Sequence, residues 1–215
     1  GCVSAFLKSL TVAALLLVLA AGVVFYFLYL ESRPPDTTEA RVYAEDAYAV
    51  DYCIRAQLDG SGPGADDIPK AYTPDCEIDR WPAPVLAGCT EPLPPEAEDL
   101  RGLWRAEDGL VGHIERIEQC GNRVVVAGRR FIHDFRTTGR LAEGANDINP
   151  RGCTRVRAAM RWNAEKTLEF RPWGLVRLVT RRLEDESTLI WEYPGQPTSR
   201  LKRICRLPVP EISAG

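Results

Sequence analysis

Histidine is scarce in this chain, methionine scarcer, and the short motifs of the common catalytic folds are missing. His113 and His133 are the only histidines among 215 residues. They form no H-x-H, H-E-x-x-H or H-x₃-H set, so no metal centre is assigned. There is no G-x-S-x-G, no P-loop and no G-x-G-x-x-G, and the proline in Gly60-Ser61-Gly62-Pro63-Gly64 argues against a phosphate cradle. No C-x-x-C occurs, which removes zinc ribbons, thioredoxin-like redox motifs and c-type haem attachment. A formal charge of -3 gives no reason to expect a nucleic-acid partner. Nothing therefore points to an enzyme, and no catalytic residue or cofactor is assigned.

The charge is unevenly spread. Residues 31–100 carry 16 Asp/Glu against 5 Lys/Arg, a net of -11, while residues 101–215 carry 14 against 21, a net of +7. Adjoining segments of opposite sign attract, so the acidic part is expected to lie against the basic one. A basic half could instead meet anionic lipid or a partner.

What is present begins with a long apolar run. Leu10 to Leu30 holds no charge. At about 1.5 Å per residue its 21 residues give roughly 31 Å of helix, the hydrocarbon thickness of a bilayer. Phe25, Tyr26, Phe27 and Tyr29 gather at one end, as aromatic rings do at a membrane interface. The alternative is a cleaved signal peptide, with small residues near Leu19-Ala20-Ala21. The apolar run outlasts the roughly 7–15 residues of such an h-region, which favours an uncleaved single-pass anchor over residues 10–30, with residues 1–9 as a cytoplasmic tail. Gly1-Cys2 begins like an acylation signal, but Ala5 stands where Ser or Thr is required. Cys2 is read as an ordinary reduced thiol.

Six further cysteines, Cys53, Cys76, Cys89, Cys120, Cys153 and Cys205, are even in number and widely dispersed. That pattern beyond an anchor reads as three disulfides in an oxidising compartment, and 15 pairings are open. Because three cysteines lie on each side of residue 100, complete pairing requires at least one bridge between the acidic and basic segments. The thiols fix the orientation: a bacterial inner membrane with the C-terminal domain in the periplasm, or an equivalent lumen.

Residues 31–99 form an acidic, proline-rich arm. Tyr43, Ala47, Val50, Ile54 and Leu58 recur at helical spacing, so an amphipathic helix is expected over about 38–59. Eight prolines between Ser61 and Glu98 make the remainder an extended wrap. From residue 100 to 210, ahead of a tail at 211–215, the texture changes to short strands. They are expected at 101–106, 111–120, 123–127, 129–135, 156–162, 167–171, 175–183, 188–193 and 200–207, a count put at about eight. Gly121-Asn122 suits a tight hairpin, and Gly139 to Gly152 reads as loop. Val156, Ala158, Met160 and Trp162 alternate with Arg155, Arg157, Ala159 and Arg161, a clear period of two. Evenly spaced antiparallel strands of this number favour a closed barrel, with a sandwich as the alternative.

Leu100-Arg101-Gly102-Leu103-Trp104 resembles the G-x-W that opens the first strand of lipocalin-like barrels, and basic residues stand in the last strand at Lys202 and Arg203. The resemblance covers residues 100–207 and implies an eight-stranded antiparallel barrel. In it, Trp104 and Arg203 (or Lys202) would close the base, with the cation over the ring. It also implies one small apolar ligand, which Met160, Trp162, Phe170, Trp173 and Trp191 would contact, although such barrels are also found filled by side chains.

His133 and Asp134 are neighbours on a strand and so face opposite ways, whereas His113 and Glu115 share a face. Both histidines are read as structural or surface residues. Arg155, Arg157, Arg161, Arg177, Arg181 and Arg182 would make a basic outer face. The expected role is a non-catalytic accessory or assembly subunit of a membrane protein complex. Small residues at Ser9, Ala13, Ala20, Ala21 and Gly22 would allow close helix approach. The alternative is a membrane-tethered binding protein for an apolar or lipid-like molecule.

Overall fold

A computed structural model of the chain describes residues 2–31, 58–71, 84–128, 131–144, 157–174 and 176–204, with helix side chains described from 8 to 26. The chain divides into two units, Gly1–Pro35 and Asp36–Gly215.

The first unit is one α-helix, α1 (Cys2–Glu31). Unbroken Leu, Val and Ala supply propensity, and no proline interrupts the ladder. Within it, Lys8–Tyr26 is long and apolar enough to cross a membrane or to serve as a signal sequence. The apolar character goes all the way round, which suits lipid rather than one protein face.

The second unit is mainly β. Its strands are β1 (Gly102–Ala106), β2 (Ile114–Cys120), β3 (Arg123–Gly128), β4 (Phe131–Arg136), β5 (Ala142–Glu143), β6 (Arg157–Trp162), β7 (Leu168–Pro172), β8 (Val179–Asp185), β9 (Thr188–Glu192) and β10 (Ser199–Ile204). They form one antiparallel sheet in the order β4-β3-β2-β1-β10-β9-β8-β7-β6-β5. The isolated bridge Thr138↔Arg161 and the approach of β4 to β6 curl it into a nearly closed barrel.

Among the described residues the strand count is ten, not eight. Each of the nine extended ranges forms its own strand, and the stretch read as loop after Gly139 adds β5, whose two residues pair with β6. A two-residue strand is too short to carry a period. The range 175–183 becomes strand only at Val179, because Trp173 and Gly174 both take left-handed backbone and turn the chain. The hairpin at Gly121-Asn122 is present, with Cys120 paired to Arg123 and only Gly121 at positive φ, as a type II′ turn requires.

Antiparallel order sorts the loops. The β1–β2 and β9–β10 connections share one end with the last residues of β3, β5 and β7, here called the upper end. The chain reaches β1 at the lower end and leaves β10 there.

Every residue of β2 is buried. Its inward side chains line the barrel, and its outward ones are covered by residues 58–71 and 84–100. Ala65, Ala71, Leu86 and Cys89 pack with Cys120, Val125 and Ile132 in a second apolar cluster outside the barrel. Glu118 Oε2 accepts from the Val85 and Leu86 amides at 2.9 and 2.6 Å. The Arg123 guanidinium donates to the carbonyls of Ala65, Ile68 and Pro69. Barrel side chains thus satisfy the backbone of a covering segment that has no ladder of its own. Side-chain ion pairing adds the exposed Asp66–Arg136 contact.

Cys89 and Cys120 are joined in a disulfide, with Cα atoms 5.8 Å apart. This bridge links the acidic segment to the basic one. Cys53, Cys76, Cys153 and Cys205, and nearly all of the expected amphipathic helix at 38–59, lie outside the described residues.

Candidate functional site in the barrel interior

The barrel interior combines one apolar cluster with a charged group near the upper end. Trp104, Ile117, Val124, Trp162, Leu168 and Leu201 belong to one buried cluster with Met160, Phe170, Val179 and Trp191. Trp104 on β1 is in register with Arg203 on β10, whose Cζ lies 4.4 Å from the Trp104 ring centroid. Arg203 also donates to the Asp99 carbonyl at 3.2 Å, and Trp104 Nε1 to the Leu100 carbonyl at 2.9 Å. Lys202 faces outward, toward Ser187. Asp99 is held below the usual carboxylate range. Burial opposes this shift, and the Arg101 guanidinium, closed on both carboxylate oxygens, outweighs it.

The charged group is built from β2 and β8. Alternation on β2 turns Glu115 and Ile117 inward, and alternation on β8 turns Val179 and Arg181 inward. Arg181 Nε donates to Glu115 Oε1 at 2.7 Å and Nη2 to Oε2 at 2.8 Å, a bidentate pair with Glu115 0% exposed. His113 Nε2 lies 3.3 Å from the same Oε2. The His113 ring stacks on Trp191 with centroids 4.6 Å apart, and Arg181 Cζ lies 5.6 Å from the Trp191 centroid. His133 enters from β4, against Phe170 at 4.4 Å and Phe131 at 4.7 Å.

These surroundings set the protonation states. Burial pushes the Glu115 carboxyl up, but the Arg181 charge and hydrogen bonds overcome it and hold the group well below the usual range. Burial pushes His133 down to about 3, with the Arg181 charge acting in the same direction. His133 is therefore neutral at ordinary pH. A carboxylate already closed on a guanidinium is a poor general base, because taking a proton would leave Arg181 without its counter-charge.

Of the five residues expected to contact a ligand, Met160, Trp162, Phe170 and Trp191 come together in the buried cluster. Trp173 does not: it stands 39% exposed on the β7–β8 loop. The expected basic outer face loses Arg181, because it shares an inward period with Val179. Arg157, Arg161 and Arg182 do lie outside, and Arg155 falls outside the described residues. His133 and Asp134 face opposite ways, Asp134 meeting Arg123 at 2.7 Å under the covering segment. Sequence reading saw that His113 and Glu115 share a face but missed Arg181 as their partner. The inward step from Val179 to Arg181 was the available signal.

Cys89, Glu91 and Cys120 bring potential metal-ligating atoms within 4.8 Å of one another. With the two sulfurs joined, neither offers a thiolate, and the cluster does not fit a metal. A cleft of about 480 Å³ lies nearby on the outside, lined by Asp66, Asp67, Glu91, Asn122 and Arg136 among others. No protein-family model, curated protein or solved structure matches the chain. The site must be read from its own chemistry.

Proposed function

We propose that this protein is a membrane-anchored, non-catalytic accessory or assembly subunit of a membrane protein complex. Its apolar helix is the single-pass anchor, and its disulfide-braced β domain stands on the periplasmic or equivalent lumenal side. The observation that carries this reading is the commitment of the barrel interior to itself. Trp104, Met160, Phe170 and Trp191 fill it with buried side chains, and Glu115 is already satisfied by Arg181 and His113. A barrel filled in this way serves as a rigid scaffold. The Cys89–Cys120 bridge supports placement in a non-reducing compartment. The proline-rich stretch, part of which covers the barrel's outer face, is read as an elaboration that shapes a docking surface.

Gentle detergent extraction followed by native electrophoresis tests the role. The expected result is migration with a larger assembly, and a lone monomer at native expression level would overturn it. Labelling intact cells or spheroplasts with an impermeant thiol reagent after reduction tests the side of the membrane.

A second reading is a tethered lipocalin-like binding protein for a small apolar or lipid-like molecule. It is favoured by the Arg203 guanidinium over Trp104, the arrangement such barrels use at the base. Native mass spectrometry of the intact chain would then release a bound small molecule. An empty mass would remove this reading.

A further inference from the structure

Among the described residues of the barrel, the largest apolar exposure at one place is on the β7–β8 loop. Val176 is 92% exposed and Trp173 39%, while Leu141, 42% exposed, lies beside Gly174. The loop is built to present them. Trp173 has φ 57 and Gly174 φ 67, and the Trp173 amide is tied to the Arg157 carbonyl at 2.6 Å. Left-handed backbone is unfavourable for a residue as bulky as tryptophan, and local contacts must hold it there. Arg157 is exposed at the start of β6 and Arg171 stands at the end of β7 just before the loop, whereas Arg177 after it keeps its Nη1 buried. The carboxylates nearby are engaged or paired in register: Glu169 with Arg161 and Arg171, and Glu143 opposite Arg157.

We propose that the β7–β8 loop is a second, peripheral membrane contact, in which Trp173 and Val176 enter the interfacial layer of a bilayer rich in anionic lipid and Arg157 and Arg171 meet its headgroups. The proposal rests on the reading of α1 as a membrane anchor. Tryptophan is the side chain that favours the bilayer interface, and arginine beside it favours negative lipid. Three exposed apolar side chains are too few for the roughly 800 Å² per partner of a stable protein interface. A weak lipid contact suffices for a domain whose own helix already keeps it near a bilayer, because tethering makes the second contact intramolecular.

The test uses the full chain in vesicles of phosphatidylcholine alone or with phosphatidylglycerol, each with or without lipid brominated near the top of the acyl chain. The emission of the Trp173→Phe variant is subtracted from that of the wild type to isolate Trp173. The expected result is a blue-shifted Trp173 component that brominated lipid quenches, several-fold more strongly in the anionic vesicles. Replacing Arg157 and Arg171 by Gln should weaken that preference by about fivefold per arginine. Val176→Asp, with unchanged far-ultraviolet dichroism, should reduce the quenching. Solvent-like, unquenched emission would overturn the proposal. A blue shift without quenching would also overturn it, showing a protein surface over the loop instead. Alkaline carbonate washing of the same vesicles reads the anchor separately. Loss of the chain removes the anchor and the proposal together, whereas retention with an unquenched Trp173 removes the proposal alone.

Discussion

Arg181 and Glu115, 66 residues apart in the chain, meet inside the barrel as a bidentate pair at 2.7 and 2.8 Å. Both are almost wholly shielded from water. The pair joins β2 to β8 across the interior, so it restrains two strands that share no ladder in the sheet order.

Removing one partner should cost far more than removing both. Arg181→Met leaves Glu115 buried with only His113 beside it, and Glu115→Gln leaves the guanidinium without a counter-charge. Each single change is expected to destabilise the barrel by about 3–5 kcal/mol, whereas Glu115→Gln combined with Arg181→Met should cost much less than the sum. Urea unfolding of the four proteins, followed by near-ultraviolet dichroism, gives the coupling. Additive single effects would show that the two groups are not a unit.

Acid should loosen the fold in two stages, and His133 sets the first. Its folded value, about 3, lies below the ordinary histidine value of 6.5, so the unfolded chain binds the proton more readily. The stability that neutral His133 contributes is complete above about pH 6.5 and is lost as pH falls toward 3. The loss from this group is at most about 1.4 kcal/mol per pH unit. Glu115, also depressed, adds a second loss below the ordinary glutamate value of 4.5. Replacing His133 by Phe should flatten the stability profile between pH 6.5 and 4.5 and leave a shallower limb below it, set by Glu115. An unchanged upper limb would place the titrating group elsewhere.

Parts of this arrangement were legible in the sequence and parts were not. The alternation from Arg157 to Trp162 gave β6 and its inward face directly, because a strand with one wet side writes its period into the chain. On β2 the same logic fails. Arg116 and Glu118 point outward yet are buried, since residues 84–86 cover them, and that covering comes from a segment with no periodicity. The Gly121-Asn122 turn was readable because turn chemistry is local. The Glu115–Arg181 pair was not, because it depends on which strands face each other across a curled sheet. Dispersed cysteines announced bridges, but spacing alone could not join Cys89 to Cys120. Trp173 looked like its fellow aromatics until the backbone at the β7–β8 loop turned it outward.

The contact between Arg203 and Trp104 makes a separate prediction at the lower end. Trp104→Ala empties a fully buried site and should cost about 3–5 kcal/mol. Arg203→Ala removes the cation over the ring and a hydrogen bond to the Asp99 carbonyl, for about 1–2 kcal/mol. Arg203→Lys keeps the charge but loses the planar stack, so it should restore only part of that loss. Thermal unfolding of the three variants checks the order. Full rescue by lysine would mean that charge alone matters at this position.

The Cys89–Cys120 bridge spans a sequence separation of 31 and fastens the covering segment to the end of β2. Chain-entropy reasoning gives about 3–4 kcal/mol for closing a loop of that length. Removal should act unevenly, because the barrel ladders do not pass through the bridge, whereas residues 84–100 depend on it together with Glu118, Gln119 and a small apolar cluster. Replacing both cysteines by serine should therefore release the covering segment first. Amide exchange at Val85 and Leu86, whose N–H groups are held by Glu118, should accelerate strongly. The amides of β9, paired on both sides by β8 and β10, should change little under native conditions. Exchange measured by mass spectrometry on the double variant distinguishes the cases. Uniform acceleration across segment and barrel would mean that the two unfold as one cooperative body, with Glu118 and Arg123 coupling them more tightly than the disulfide does.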